Sequence, residues 1–189
     1  MTCWYCTDDN WRVPPKNEED GDMATLEELE ARLRALEDVE AIRQLKYRYF
    51  RCLDLKRWDE LGACFTADAT VSYGAGRYQF VGREAILRFL RDSLSVERGT
   101  VGLHHGHHPE IELTSPTTAR GTWALHNYLL NEHQQRGVRM ACFYDDEYVK
   151  QEGAWRIRHT GYVPVFHEEW NRGDTPSIHV VAAGPLPRE

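Results

Sequence analysis

The order of helical and strand-like patterns along the chain is the feature that most constrains its fold. Helix-forming patterns come first, and beyond about residue 100 four long strand-like segments follow one another between turn signals. A run of helices followed by a run of strands joined through short turns is typical of an α+β domain, in which helices cover one face of an antiparallel sheet. We therefore predict an α+β fold with a curved sheet wrapped around helices.

The spacing of apolar residues predicts three helices. The strongest signal begins at Thr25, which forms a capping-box pattern with Glu28, and continues at steps of three and four to Leu53. Glu37-Asp38 is a candidate break. The half before it is open to two interpretations, a coiled-coil arm or an amphipathic helix lying on its own domain, and we favour the second. The predicted helices are Thr25–Leu53, Arg57–Phe65 and Arg83–Leu94.

Alternating apolar and polar residues predict six strands and a simple domain layout. We expect residues 1–22 to be a flexible acidic tail, residues 23–170 to be one domain, and residues 171–189 to be an extension with a possible edge strand at 178–181. The predicted strands are Thr70–Tyr73, Arg77–Val81, His104–Leu113, Ala119–Leu130, Arg139–Lys150 and Trp155–Phe166.

Composition excludes several classes of function. The 189 residues suffice for one domain, and a net charge of −7 argues against a nucleic-acid partner. No apolar run reaches the roughly 20 residues of a membrane span, so we expect no membrane partner. The five cysteines are an odd number, which favours reduced thiols in the cytoplasm. Two of them form the motif Cys3-x-x-Cys6, which has no second pair to complete a metal site.

Four histidines within five residues, at positions 104, 105, 107 and 108, are the first candidates for chemistry. Neighbouring residues on a strand face opposite ways, so these side chains cannot all converge on a metal ion, and we expect no metal site. Two interpretations remain: a polar strand end with solvated imidazoles, or one histidine that faces inward as a general base.

A histidine base needs a carboxylate that orients its ring, and Asp54 is the candidate because it ends an apolar helical run. The alternative for Asp54 is a turn residue bonded to the backbone. Tyr49 lies on the apolar stripe of the same helix. Five residues on a helix correspond to about 140° of rotation, so Tyr49 and Asp54 meet in one pocket only if the helix ends or loosens between them.

Strand alternation identifies a further polar candidate. Trp123, Leu125 and Asn127 share one face of a predicted strand, and His126 shares the other face with Tyr128. An asparagine among large apolar neighbours either satisfies a hydrogen bond of the core or contacts a ligand.

Several segments resemble the bile-acid 7-alpha-dehydratases, which belong to the SnoaL-like branch of the nuclear-transport-factor-2-like superfamily. Scytalone dehydratase and hexachlorocyclohexane dehydrochlorinase are relatives in that branch. The resemblance runs from about Met23 to Val181. The segments that carry it are Asp38–Ile42, Tyr49–Asp54, Trp58–Leu61, Leu103–Ile111, Thr118–Trp123 and Thr160–Val163.

The resemblance implies a cone-shaped, curved mixed sheet around a deep apolar pocket, with neither a metal nor an organic cofactor. It also implies a homo-oligomer, for which we favour a trimer over a dimer, and a small hydrophobic substrate. Carried over by position, His104 is the base, Asp54 its partner, and Tyr49 a hydroxyl donor to the leaving group or the carbonyl oxygen. The expected substrate contacts are Tyr73, Asn127, Trp123 and His107.

The function implied is that of a cofactor-free, dehydratase-like lyase. It would remove a carbonyl-activated proton and a leaving group from a hydrophobic compound such as a steroid or a polyketide. A ring isomerase or polyketide cyclase on the same scaffold is one alternative, and a non-catalytic ligand-binding subunit is another. Two positions depart from the dehydratase pattern: Asn127 replaces an aspartate, and Pro164 replaces a basic residue.

Overall fold

The computed structural model describes residues 23–95, 97 and 99–181. The tail before residue 23, with its Cys-x-x-Cys motif, and residues 182–189 lie outside this description. The helices are α1 (Leu26–Asp54), α2 (Trp58–Ala63) and α3 (Arg83–Leu94), and the strands are β1 (Phe65–Tyr73), β2 (Tyr78–Val81), β3 (Thr100–Ser115), β4 (Thr118–Asn131), β5 (Arg136–Gln151) and β6 (Ala154–Asn171).

The six strands form one curved sheet in the order β2-β1-β6-β5-β4-β3. Strand β1 runs parallel to β6, and every other neighbouring pair described is antiparallel, so the sheet is mixed. Helix α1 packs against β3 and β6, and α3 packs against β1. The predicted α+β class, with a curved mixed sheet and helices that cover it, is confirmed.

Helix α1 is one continuous helix of 29 residues, and its capping box forms as predicted. The Glu28 backbone N–H donates to Thr25 Oγ1 over 3.2 Å, and the Thr25 N–H donates to the Glu28 carboxylate over 2.9 Å. The candidate break at Glu37-Asp38 is wrong. Asp38 instead accepts hydrogen bonds from Lys150 Nζ at 2.7 Å and from the Trp155 indole at 2.8 Å, which anchors the helix to the β5–β6 hairpin.

Several other boundaries differ from the predictions. Helix α2 ends at Ala63, because Phe65 is fully buried and begins β1. Strand β1 therefore starts before Thr70, and its pairing with β6 is irregular between Phe65 and Thr70. The four long strands all extend beyond their predicted ends. The predicted edge strand is wrong for residues 178–181, which form no strand.

The hairpin turns show why the four long strands form a meander. Glu152 and Gly153 both have positive φ angles, 52° and 78°, as a two-residue hairpin requires. Gly137, by contrast, lies inside β5, although the strand was predicted to begin only at Arg139. A Cβ atom at Gly137 would overlap the Trp170 ring, so the glycine is needed for that packing.

Among the residues described, no helix combines the length and the apolar character that a bilayer span requires.

Candidate active site

Asp54 and His104 form a bonded pair in the structure, although they lie 50 residues apart in the chain. Asp54 Oδ1 is 2.6 Å from the Nδ1 atom of the imidazole ring. Asp54 Oδ2 accepts the His104 backbone N–H over 3.0 Å. The carboxylate thus holds both the ring and the main chain, which fixes the orientation of the imidazole relative to α1. The two side chains are only 9% and 8% exposed.

The pair has a defined chemical polarity. An ionised carboxylate can only accept hydrogen bonds, so Nδ1 carries the hydrogen and Nε2 keeps its lone pair. A lone pair on Nε2 can take a proton, and Asp54 stabilises the imidazolium that results. This is the arrangement of a general base and its orienting carboxylate.

The end of helix α1 positions Asp54, and the pairing of β3 with β4 positions His104. Asp54 is the last residue of α1, and the chain turns immediately after it through Lys56, whose φ angle is 58°. His104 lies on β3 directly opposite Asn127 of β4, in an antiparallel register that is continuous from Thr100 to His107. The alternative interpretation of Asp54, a turn residue bonded only to nearby backbone, does not account for its bond to the His104 ring.

Phe50 and Gly106 shape the space beside the imidazole. The Phe50 ring lies parallel to the His104 ring, with an interplanar angle of 11° and a centroid distance of 6.4 Å. Gly106 is two residues after His104 on the same face of β3, and a Cβ atom there would overlap Phe50. The glycine between the paired histidines is therefore needed for the aromatic packing beside the candidate base.

Tyr49 and Tyr73 form a second polar group in the interior. Their hydroxyl oxygens are 3.1 Å apart, and both rings are buried. Burial raises the pKa of each phenol well above its ordinary value, so both stay protonated at neutral pH. The Tyr49 hydroxyl also has a hydrogen bond with Tyr144, so three phenol groups form one connected cluster. Helix α1 neither ends nor loosens between Tyr49 and Asp54, so the condition for these two side chains to meet directly is not fulfilled. Phe50 contacts both Tyr49 and His104, so the hydroxyl pair and the base share only an aromatic neighbour.

Asn127 lies in the interior with an unused acceptor. Its side chain is buried, and its amide oxygen has no hydrogen-bond partner. Buried polar atoms nearly always have a partner, so an open acceptor opposite the base is a feature expected of a ligand contact. Strand pairing therefore places Asn127 beside His104, which Asp54 contacts, and the role of Asn127 as a substrate contact stays a prediction.

Trp123 is placed differently from its predicted role. Its ring is fully buried and packs edge-to-face against Phe50, and its indole N–H already donates to the Tyr148 hydroxyl at 2.9 Å. Because its indole N–H is already bonded to Tyr148, Trp123 has no donor left for a substrate, and its contribution is to pack against Phe50.

His107 is not brought to the site, because strand alternation puts it on the opposite face of β3 from His104. Its ring is exposed and stacks with that of His105 at an interplanar angle of 5°. In the described part of the chain, no group of three or more His, Cys, Asp or Glu side chains has the arrangement to hold a metal ion.

A fully buried ion pair beneath the site was missed by the sequence analysis. Lys46 Nζ lies 2.7 Å from Asp146 Oδ2, and neither side chain has any exposed surface. Burial lowers the pKa of Lys46, and the Asp146 charge opposes that shift. The ammonium group also lies 3.9 Å from the centre of the Tyr144 ring and 4.6 Å from that of Tyr49.

The pair belongs to a connected polar network. The Tyr148 hydroxyl donates to Asp146 Oδ2 at 2.6 Å and accepts the Trp123 indole N–H, and Lys46 also donates to Thr160 Oγ1 at 3.3 Å. The second oxygen of Asp146 has no partner. Helical periodicity could have found Lys46, which follows Ile42 by one turn on the buried face of α1.

An open surface cleft of about 650 Å³ lies away from the Asp54–His104 pair. It is lined by Glu132, Arg172 and the segment that contains Ile178. It includes none of the residues of the base or of the hydroxyl pair. The deep apolar pocket implied by the resemblance remains a prediction.

Comparison with known proteins agrees with the architecture. Residues 34–161, more than half of the chain, match the family model described as a SnoaL-like domain. A candidate scytalone dehydratase from Novosphingobium aromaticivorans shares 23% identity over 82% of this chain and 97% of its own, with a TM-score of 0.66. A hexachlorocyclohexane dehydrochlorinase from Novosphingobium barchaimii shares 18% identity over 80% and 99%, with a TM-score of 0.68. At these identities the likeness to solved structures concerns the fold.

Proposed function

The chain belongs to the SnoaL-like domain family, and from that premise we propose that it is a cofactor-free lyase that acts on a small hydrophobic carbonyl compound. The observation that carries the proposal is the bond between Asp54 and the His104 ring. A base with its orienting carboxylate, largely withdrawn from water among aromatic side chains, is what proton abstraction next to a carbonyl requires.

In the proposed reaction, His104 Nε2 takes a proton from the carbon next to the substrate carbonyl. The electron pair of the broken C–H bond forms a carbon–carbon double bond as the neighbouring bond to the leaving group breaks. Asp54 stabilises the imidazolium, and a hydroxyl of the Tyr49–Tyr73 pair donates a hydrogen bond, without losing its proton, to the carbonyl oxygen or to the departing group. The proton on His104 is then returned to the released group or to solvent.

Asn127 supports a second candidate, a ring isomerase. An amide cannot take or deliver a proton, so Asn127 can orient a ligand but cannot serve as a second acid. A ring isomerisation needs one base that removes a proton from one carbon and returns it to another, and the Asp54–His104 pair suffices for that. Proton return to carbon without loss of a leaving group separates this reaction from elimination.

The experiment compares His104→Ala with a matched control, His105→Ala. Both histidines are on β3, but His105 is exposed on the opposite face of the sheet. Steroid, terpenoid and polyketide ketones are first screened by thermal shift, and turnover of each ligand found is followed by mass spectrometry. We expect His104→Ala to lose about 10²–10⁴-fold in rate and His105→Ala to keep the wild-type rate.

A folded His104→Ala protein with wild-type turnover would rule out the mechanism. Ligands that bind both variants equally, with no product from either or from the wild type, would favour a non-catalytic binding subunit. Activity of the wild type should rise with pH as an imidazole base loses its proton.

The proposal includes assembly as a homo-oligomer, with a trimer favoured over a dimer. Apolar side chains on the sheet face away from α1 support it: Leu103, Val163 and Val165 are 51%, 61% and 63% exposed. Exposed apolar patches on monomers are ordinarily small, so this face is expected to be covered by another copy. Light scattering at micromolar concentration tests it, and a monomer there would contradict the proposal.

A further inference from the structure

The first three turns of α1 carry an exposed row of four leucines. Leu26, Leu29, Leu33 and Leu36 are 72%, 50%, 57% and 69% exposed. The burial of α1 begins beyond this row, at Ile42, and the anchor of the helix at Asp38 separates the two halves. The favoured interpretation, an amphipathic helix that lies on its own domain, is therefore wrong for this half, which we call the leucine arm (residues 26–37).

The spacing of the leucines is that of a coiled-coil seam. The steps of three, four and three residues place Leu26 and Leu33 at a positions and Leu29 and Leu36 at d positions of two heptads. A seam of this kind buries its leucines in the holes formed by an equivalent helix. Propensity alone does not account for four leucines facing water, since glutamate or lysine forms helices nearly as well.

The charges beside the seam identify the occupant and its direction. In this frame Arg32 is a g residue, and the two e residues are Glu30 and Glu37. Parallel helices bring a g residue near the e residue five positions later on the partner helix, which pairs Arg32 with Glu37. Antiparallel helices would bring e against e, and every such contact would join two glutamates. Neither Arg32 nor Glu37 has an ion-pair partner within the described residues.

We propose that the leucine arm of one copy packs, parallel and in register, against the leucine arm of a second copy of this chain. The contact joins the a and d leucines around the symmetry axis and pairs Arg32 of each copy with Glu37 of a neighbouring copy. Two heptads form a weak coiled coil by themselves. The arms therefore associate through the raised local concentration that an oligomer of the domains provides.

Disulfide trapping tests the arrangement in a full-length background that carries Cys3→Ser and Cys6→Ser. Cys52, Cys64 and Cys142 remain, and all three are buried. Leu29→Cys places a thiol in the seam, and the matched control Ala31→Cys places one at an f position on the outer side of the same helix. Under mild oxidation we expect Leu29→Cys to form covalent dimers on a non-reducing gel and Ala31→Cys to stay monomeric.

Two outcomes would overturn the proposal. Equal cross-linking of Leu29→Cys and Ala31→Cys would show that the seam is not the contact. Dimers that form only when Leu29→Cys is mixed with Leu33→Cys would show antiparallel packing.

Exchange of the two charges gives a second test that needs no cysteine. Arg32→Glu should raise the protein concentration at which half of the oligomer dissociates by about two- to fivefold, and Arg32→Glu combined with Glu37→Arg should restore it. Unchanged half-dissociation in Arg32→Glu would also count against the parallel register, whereas the domain assembly could persist without the arms.

Discussion

Single residues decide which proton can move at this site, and Asn127 is the position where that choice is open. The side chain faces the same interior as His104 and leaves its amide oxygen unpaired. If the site performs an elimination that a second carboxylate assists, Asn127→Asp should keep or raise the rate. If it performs another reaction, a carboxylate buried there should lower the rate and the stability. Turnover on an accepted ligand, with the thermal midpoint measured in parallel, distinguishes the two.

Lys46 and Asp146 test the stability of the interior. Lys46→Met should lower the free energy of unfolding by about 3–5 kcal/mol, because it leaves the fully buried Asp146 carboxylate without its cation. Lys46→Met combined with Asp146→Asn removes both charges and should be less destabilised than Lys46→Met alone. Urea unfolding of the wild type, Lys46→Met, Asp146→Asn and the double variant measures the coupling between the two side chains. Additive losses would show that the two side chains do not depend on each other.

At the scale of elements, Asp38 marks the point where α1 joins the sheet. Burial tends to raise the pKa of this carboxyl, but hydrogen bonds from Lys150 and Trp155, together with the Lys150 charge, lower it below 3.8. A lowered folded-state pKa stabilises the protein above the unfolded value, and this stability is lost as the pH falls through the folded value.

Asp38→Asn should therefore cost about 1–3 kcal/mol at pH 7. It should also flatten the decline of the thermal midpoint as the pH falls below the ordinary pKa of an aspartate. Glu27→Gln, an exposed glutamate of the same helix that takes no part in the proposed Arg32–Glu37 pairing, is the matched control and should leave both unchanged. A variant with the same acid profile as the wild type would show that the Lys150 and Trp155 contacts are not formed in solution.

The elements also show how far sequence patterns reach. Helix α3 was predicted to the residue, because its apolar periodicity and its ends agree. The bond of Asp54 to His104 was anticipated from residue type and chain position, with the family resemblance assigning the roles. Helical and strand periodicity alone do not show that two faces meet, which is why the Lys46–Asp146 pair was missed. The sequence did not predict the first part of β1, from Phe65 to Thr70, for a similar reason. Its conformation depends on pairing with β6, which is distant in the chain.

At the scale of the whole molecule, three buried thiols report how cooperatively the domain opens. Cys52 belongs to α1, Cys64 lies between α2 and β1, and Cys142 belongs to β5, so together they sample both layers. Burial raises the pKa of Cys64 and of Cys142 to about 12, and it also raises that of Cys52. A thiol reacts as its thiolate, so these side chains are protected both by packing and by protonation.

In a Cys3→Ser, Cys6→Ser background, an aromatic disulfide reagent at pH 8 should therefore label none of the three thiols within the time that labels a free cysteine. Labelling should follow the urea transition, and all three should react together if the helices and the sheet unfold as one unit. Early reaction of Cys52 alone would show that α1 detaches before the sheet opens. Since Asp54 lies two residues after Cys52 on that helix, such detachment would also separate Asp54 from His104 and abolish activity at urea concentrations where the sheet is still intact.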